Sequence, residues 1–293
     1  MQAFLMCVTV AACVLGNSVK NRFAKSNLKT QSDNLCFNLA GNILCIFVMA
    51  AFGGLHACHG VTIALGALFG MLNLISGLSY TLALKNGPMS LSALIILGGS
   101  LIFSTVIGTF CFGESVSVLQ VIGIVLVLLS MIFISNTKVE TNITAAWIVI
   151  VIIAAAFNGS LGIVQKIQGN SAYPGEQMEF LYWTFIFCCL FNIIWLFLNT
   201  KTGKKEPVTI SLRGMILLSA LIVGATTATQ HIINLKLVAV MPAAMFFPIC
   251  SGSRILLSAL VDVVFFKEKL SKRQIASFIL GFGAIMMLAG VFG

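Results

Sequence analysis

Residues 87–120 read GPMSLSALIILGGSLIFSTVIGTFCFGESVSVLQ, and residues 241–274 read MPAAMFFPICSGSRILLSALVDVVFFKEKLSKRQ. The two segments align without a gap at an offset of 154 residues. Chance matching of apolar letters does not readily produce proline, glutamate, serine and glutamine pairs at one offset. The segments therefore indicate an internal repeat. Its identical pairs include Pro88/Pro242, Ile95/Ile249, Gly98/Gly252, Ser104/Ser258, Phe112/Phe266, Glu114/Glu268, Ser117/Ser271 and Gln120/Gln274.

The composition around this repeat is that of a membrane protein. Of the 293 residues, 59% are hydrophobic and only 9% are charged, and the mean hydropathy is +1.07. A soluble domain carries about 25% charged residues. Long apolar runs recur along the chain, and each is long enough to cross a hydrocarbon core with about 20 residues. The net charge of +9 comes from residues at helix ends, so it does not indicate a nucleic-acid partner.

Ten apolar segments can be placed, five in each copy of the repeat. An odd number of spans per copy means that the second copy enters the membrane upside down relative to the first. We therefore predict an all-α polytopic membrane protein, with one five-helix repeat at 1–139 and a second, inverted five-helix repeat at 140–293. The predicted spans are 2–19, 35–53, 61–80, 90–112, 117–136, 145–165, 177–199, 212–234, 238–266 and 274–292.

Local patterns add three structural expectations. Ser117 with Gln120, and Ser271 with Gln274, fit capping boxes at the starts of the fifth and tenth helices. Glu114 and Glu268 lie just ahead, where they favour the positive ends of the same helix dipoles, although a proton-carrying role is the alternative. Small residues at 66 and 70, and at 220 and 224, are spaced for close helix packing.

Basic residues predict the orientation. Fourteen Lys and Arg residues lie near the odd-numbered connections, whereas the even-numbered ones have only Lys166 and Lys236. The positive-inside rule then places the odd-numbered connections in the cytoplasm and both termini outside. We predict a multi-pass protein of the cell membrane, that is, a bacterial inner membrane or a plasma membrane.

The chain resembles the drug/metabolite transporter superfamily, and more closely its ten-helix EamA-type branch. The resemblance rests on SYTLALKNGPMSLSALI at 79–95, GES at 113–115 and QVIG at 120–123, together with the inverted second copy. It implies a secondary transporter with a central cavity between two halves that opens alternately to each side. Two features depart from the family: both termini are predicted outside, and the first helix lacks the common Trp-Gly pair.

Polar residues of the third and eighth helices correspond at the offset of 154 residues. Each set is spaced i, i+3, i+7, on one helix face. In inverted halves the two faces should meet near the midplane, where such transporters bind substrate; hydrogen bonding between helices is the alternative. The matched residues are Asn73, Ser76 and Tyr80 with Thr227, Gln230 and Asn234.

Three more polar residues are candidates. His231 borders the stripe on the eighth helix, where it is either a packing residue or a proton relay. Asn158 in the sixth helix and Asn17 in the first are further candidate substrate ligands. His56, Cys58 and His59 form the sequence HACH, but a closed set of four metal ligands is missing, so no metal site or cofactor is predicted.

Arg254 is a charge within an apolar helix, and its repeat mate is Ser100. Such a charge costs about 2.5–3.5 kcal/mol to insert and normally faces a bundle interior or a cavity. Asp262, a candidate proton carrier with His231, is about 12 Å along the same helix and some 80° around it, so the two do not readily pair. Arg254 therefore binds either an anionic group of the substrate or the carbonyls near Pro242 or Pro248.

We therefore predict a secondary transporter for a small polar or anionic metabolite, such as an amino acid or organic acid. The predicted partners are this substrate, the lipid bilayer and a coupling proton, and the oligomeric state is a monomer or homodimer. The alternatives are an integral-membrane enzyme and an accessory or sensor subunit. No P-loop is present in the sequence, which disfavours direct ATP use, and the acidic residues of the connections are scattered, which disfavours catalysis.

Overall fold

The computed structural model describes residues 2–27, 31–86, 89–114, 116–134, 144–201, 214–266 and 272–288. These residues form ten helices and no strand, so the prediction of an all-α polytopic membrane protein with ten helices is confirmed. The helices are α1 Gln2–Asn27, α2 Gln31–Ala51, α3 Gly60–Asn86, α4 Met89–Phe112, α5 Val118–Ile134, α6 Ala145–Gly169, α7 Gln177–Lys201, α8 Gly214–Val240, α9 Ala243–Phe266 and α10 Lys272–Leu288.

Length and hydropathy mark five clear membrane spans among the described residues. They carry large apolar side chains that stay exposed, such as Phe110 at 83%, as expected where lipid rather than water is the solvent. Shorter apolar helices lie at Leu35–Ala51, Val118–Phe133 and Ile275–Leu288. The five spans are Gln2–Lys20, Gly60–Ala83, Ile95–Phe112, Ala145–Gly169 and Gln177–Leu198.

Several helices are longer than hydropathy alone predicts. α3 continues to Asn86 and α8 to Val240, because lysine-bearing turns can remain helical beyond the hydrocarbon. The boundary predicted at 238 is wrong, since α9 begins only at Ala243. Pro242 explains this break: its carbonyl accepts the amides of Met245 at 3.1 Å and Phe246 at 2.9 Å, whereas its own ring nitrogen cannot extend α8.

The described chain forms two compact units. Unit 1 comprises Met1–Leu74 and Ile167–Ala239, and unit 2 comprises Ile75–Lys166 and Val240–Gly293. Each unit draws on both halves of the sequence, so the units are distinct from the predicted repeats at 1–139 and 140–293, which remain a prediction.

In unit 1, α2 packs on α7, and small residues bring further helices together. Gly66 and Gly70 of α3 lie against α7, where a Cβ at Gly70 would come 3.0 Å from the backbone nitrogen of Cys188. Gly224 of α8 lies against α2, where a Cβ would come 2.8 Å from the carbonyl oxygen of Gly41. The expected packing role of Gly66, Gly70 and Gly224 is thereby confirmed.

In unit 2, α4 packs on α9 and α5 packs on α10. Trp147 of α6 anchors a buried cluster with Ala83, Ile96 and Ala154. Its indole Nε1 donates to the Ala83 carbonyl and to Ser92 Oγ, both at 3.1 Å. The polar edge of this large side chain is thus satisfied within the apolar core.

The capping box at α5 is confirmed. The Ser117 amide donates to Gln120 Oε1 at 2.9 Å, and the Gln120 amide donates to Ser117 Oγ at 3.2 Å. These reciprocal bonds satisfy two amides that a helix start leaves open. The second predicted box includes Ser271, which lies outside the described residues.

Candidate functional site

Arg254 is the charged residue in the middle of α9, and its guanidinium is incompletely bonded. The side chain is half-buried, and Nε is shielded from solvent without a hydrogen-bond partner in the described part of the chain. A buried donor of this kind is rare, because leaving it unpaired costs about 1–3 kcal/mol. An orphaned donor inside the protein therefore points to a ligand or to a partner that the described residues do not supply.

Arg254 lies on the face of α9 that packs against α6. Phe247 marks this face, since a Cβ at Gly162 of α6 would come 2.7 Å from the Phe247 ring Cζ. Seven residues further on, Arg254 returns to the same face about 10 Å along the helix. Lys166 Nζ near the end of α6 donates to the Met241 carbonyl just before α9 at 3.2 Å, so the two helices run antiparallel there.

Asn158 belongs to the matching face of α6. It precedes Gly162 by one turn, about 6 Å along the helix, and it is half-buried. Helix spacing therefore relates Asn158 and Arg254 to the same side of the Gly162–Phe247 contact. Both residues, which were predicted separately, belong to unit 2.

A third helix, α4, contacts α6 next to Asn158. Ser104 Oγ donates to the carbonyls of Ser100 at 2.8 Å and Gly159 at 2.9 Å, which ties α4 to α6. Ser100 Oγ donates to the Leu97 carbonyl at 2.8 Å. These two hydroxyls are therefore occupied by the helix backbone, whereas Arg254 Nε and Thr105 Oγ1 are buried polar atoms without a hydrogen-bond partner in the described part of unit 2.

The stripe predicted on α3 and α8 is partly used for helix contacts within unit 1. Asn73 Nδ2 donates to Cys188 Sγ of α7 at 3.5 Å. Thr9 Oγ1 of α1 contacts the Gln230 carbonyl at 3.4 Å and Asn234 Oδ1 at 2.8 Å, and Thr9 and Asn234 are both buried. These bonds match the alternative of hydrogen bonding between helices, with Gln230 taking part through its backbone.

His231 lies in an aromatic setting. Its ring meets Phe69 edge-on at a centroid distance of 5.6 Å and Phe185 at 5.5 Å. Such contacts pack the imidazole between α3 and α7. Its proton-relay role remains a prediction.

The remaining predicted site residues lie on α1, α3, α8 and α9. Asn17 is exposed and donates to Cys13 Sγ at 3.4 Å within α1. Ser76 is buried in α3, and Tyr80 packs on the Trp147 cluster. Thr227 is half-buried on α8. Asp262 is part of α9, but the prediction for its side chain lies outside the described residues.

The predicted residues therefore divide between the two units. Unit 1 holds Asn17, Asn73, Thr227, Gln230 and His231, and unit 2 holds Ser76, Tyr80, Asn158, Arg254 and Asp262.

Sequence reasoning missed an ion pair in unit 2. Lys166 was counted with the connections, but it lies in the last turn of α6 with a side chain only 4% exposed. It pairs with Glu114, whose other oxygen accepts the Ala243 amide at 2.6 Å. Glu114 thus contacts the N-terminus of α9 and not, as predicted, that of α5. The helix dipole of α9 favours a carboxylate at this position as well. The recurrence of Glu114 at position 268 was the one signal for it.

The loops at 52–59 and 170–176 form a second polar cluster, in unit 1. Glu176 accepts the His59 amide at 3.1 Å and contacts His59 Nδ1 at 2.5 Å, and Thr62 Oγ1 also donates to it. The His59 ring stacks on Tyr173 with a centroid distance of 3.6 Å. Among the described residues, no group of three or more His, Cys, Asp and Glu is arranged to hold a metal ion.

The hydrogen bonds to Glu176 act on its ionisation. The bond from Thr62, followed by that from His59, holds the pKa of the Glu176 carboxyl below its ordinary value. Nearby, burial raises the pKa of the Cys58 thiol, and the carboxylates of Glu176 and Glu179 add to this effect. The cluster thus favours an ionised carboxylate beside a neutral thiol at ordinary pH.

Comparison with known proteins supplies the wider context. Residues 145–290 match the family described as the EamA-like transporter family. Chains of solved structures match as well; one, described as "Crystal structure of protein", has a TM-score of 0.72 and 15% identity, with 98% of each chain covered. At that identity the likeness shows the fold alone. No curated protein matches the chain.

Proposed function

We propose a substrate class and a transport mechanism for this chain, which through residues 145–290 belongs to the EamA-like transporter family, part of the drug/metabolite transporter superfamily. As a membrane transporter of this type, it acts on a small molecule across a lipid bilayer. We propose that it is a secondary transporter that moves a small polar or anionic metabolite, of the amino-acid or organic-acid class, by alternating access.

The open donor of Arg254 is the observation that carries this proposal. A guanidinium keeps its charge at every physiological pH and presents a fork that matches a carboxylate or phosphate. The buried Nε has no partner among the described residues. A substrate anion would supply that partner, and Asn158 of α6 would add a neutral donor and acceptor.

Several further features belong to the same proposal. The two halves, 1–139 and 140–293, are inverted repeats of five helices, which is supported by the packing of α2 on α7, α4 on α9 and α5 on α10, each helix against its repeat mate. The protein is a monomer or homodimer in the bacterial inner membrane or plasma membrane, with both termini outside. A proton is the coupling ion, with His231 and Asp262 as its candidate carriers.

Counterflow in proteoliposomes tests the proposal. Vesicles loaded with one unlabelled metabolite at a time are given the labelled compound outside, across a panel of amino acids, organic acids, phosphorylated metabolites and cationic drugs. We expect uptake for an anionic or zwitterionic member. A charged hydrogen bond is worth about 1.5–3 kcal/mol, so Arg254→Ala should weaken apparent affinity roughly 10- to 100-fold, and Arg254→Lys should weaken it less.

Three results would count against the proposal. Uptake limited to cationic compounds would show that Arg254 does not bind an anionic group of the substrate. Equal affinities for an anionic substrate in the wild type and in Arg254→Ala, both correctly folded, would place the anion elsewhere. An absence of counterflow across the whole panel would favour the accessory-subunit or enzyme alternatives.

A further inference from the structure

The glutamates of the two polar clusters occupy similar positions at helix starts. In unit 1, Glu176 accepts the amide of His59, which directly precedes α3. In unit 2, Glu114 accepts the amide of Ala243, the first residue of α9. Each carboxylate also contacts a cationic or titratable side chain, His59 in one case and Lys166 in the other. The two arrangements differ in the group that carries the positive charge.

That difference matters for pH dependence. Lysine keeps its charge across the physiological range, whereas histidine changes charge between pH 5 and 8. Burial also separates the two clusters. The side chain of Lys166 is 4% exposed, but that of His59 is 56% exposed and can exchange protons with bulk water. We propose that His59, Thr62, Tyr173 and Glu176 form a pH-responsive clasp, which ties the start of α3 to the loop before α7 more tightly as the pH falls from 8 to 5.5.

The geometry of the acceptor supports the clasp. Glu176 is held by the His59 amide and by the Thr62 hydroxyl, so its carboxylate is fixed before the imidazole gains a proton. The side chain of Glu176 is only 16% exposed, and the His59 ring is stacked on Tyr173 in nearly parallel planes. Neither partner therefore loses much conformational freedom when the bond strengthens, unlike an ordinary surface ion pair.

The other titratable groups around His59 are few. On its own segment are His56 and Cys58, and from the 170–176 loop and α7 come Tyr173, Glu176 and Glu179. His56 Nδ1 is 3.5 Å from Glu179 Oε1, and its side chain is 78% exposed, so this second pair is looser. Glu176 and Glu179 supply the negative charges of this group, and the raised pKa of Cys58 keeps its thiol neutral near pH 7. The net field at His59 is negative.

The sign of the effect follows from these charges. Glu176 stays ionised from pH 8 to 5.5, since its pKa lies below the ordinary value. Neutral His59 can still donate a hydrogen bond to it in one tautomer, but a charge-assisted bond is roughly twice as strong. Protonation should therefore strengthen the clasp, and deprotonation should loosen it without abolishing it.

Hydrogen–deuterium exchange tests the clasp without any transport assay, so its failure is distinct from a failure of the proposed function. Protein in lipid nanodiscs is labelled at pH 5.5, 6.5 and 7.5, and peptides covering 52–63 and 170–180 are followed. The ratio of exchange rates between His59→Gln and the wild type at each pH cancels the intrinsic effect of pH. We expect this ratio to rise roughly fivefold from pH 7.5 to 5.5.

Three variants provide the controls. His59→Lys retains a charge at each pH, so its ratio to the wild type should change by the same factor but from a lower value, with slower exchange than the wild type at pH 7.5 and similar exchange at pH 5.5. In the Glu176→Gln background, the exchange-rate ratio for His59→Gln should no longer depend on pH. In the His56→Gln background, most of this pH dependence should remain. A ratio for His59→Gln that is the same at pH 5.5 and 7.5 would overturn the clasp. So would a pH-dependent ratio that persists in the Glu176→Gln background.

Discussion

Glu114 and Lys166, which are 52 residues apart in the sequence, form an ion pair that is largely closed to solvent at the N-terminus of α9. Lys166 Nζ also donates to the Met241 carbonyl and lies 5.1 Å from the centre of the Phe112 ring. Four elements of unit 2 thus meet at this pair: the end of α4, the loop after it, the end of α6 and the start of α9. Its main energetic role is to avoid leaving either charge buried alone.

Removal of one partner should therefore cost more than removal of both. Lys166→Met leaves the Glu114 carboxylate without its counter-charge, and we expect a loss of about 3–5 kcal/mol in the free energy of unfolding. The double variant Glu114→Gln/Lys166→Met should lose less than Lys166→Met alone. Denaturation in mixed micelles measures these values, with the exposed Lys236→Met as a control that should stay within about 0.5 kcal/mol of the wild type. A double variant as unstable as the single one would contradict this account.

Two glycines of α3 should respond oppositely to the same change. In Gly70→Ala the new methyl group would lie 2.9 Å from Phe187 Cβ and 3.0 Å from the Cys188 backbone nitrogen, so α7 must shift. We expect a loss of about 1–3 kcal/mol. Gly77 has nothing within 4 Å of its Cβ position, and Gly77→Ala should be neutral or stabilising by up to about 1 kcal/mol. Thermal unfolding in detergent separates the two, and equal effects would show that contact with α7 is not the cause.

The contrast between local and distant features explains what the sequence could predict. Ten helices, the Ser117–Gln120 capping box and the packing glycines depend on hydropathy or on residues one turn apart, so periodicity revealed them. The Glu114–Lys166 pair and the Thr9–Asn234 bond join residues 52 and 225 positions apart, respectively. No local pattern carries such contacts. Thr9 in particular is one small polar residue in an apolar helix, which hydropathy treats as a minor interruption.

The candidate site shows the same division. The cost of burying Arg254 could be argued from its apolar neighbours, and the structure leaves its Nε unbonded by the described residues. The contact of Gly162 in α6 with Phe247 in α9, which relates Asn158 to Arg254 by helix spacing, could not be predicted from local patterns. Asn73, conversely, was matched by repeat symmetry to residues of α8, but it donates to Cys188 of α7.

Acid should weaken the stabilisation that comes from Glu176. Because its pKa is lower in the folded protein than the ordinary 4.5, this stabilisation is fully present above pH 4.5 and is lost as the pH falls through the folded-state value. The difference in melting temperature between the wild type and Glu176→Gln should therefore be largest above pH 5 and should shrink toward pH 3. Thr62→Val, which removes the main cause of the shift, should move that loss to a higher pH. A difference that grows as the pH falls from 5 to 3 would have the wrong sign.

Arg254→Met should separate stability from substrate binding. If the open Nε awaits a substrate anion, the ligand-free protein gains nothing from the guanidinium, and an apolar side chain of similar length should leave its stability unchanged or raise it. Thermal unfolding without substrate tests this. Lys166→Met is the matched control, because it removes a cationic side chain that the protein itself binds. Stabilisation by an anionic substrate should then disappear in Arg254→Met but persist in Gly77→Ala. If Arg254→Met instead destabilises the ligand-free protein as strongly as Lys166→Met does, the guanidinium is bonded by the protein itself, and the carbonyls near Pro242 or Pro248 become its partners.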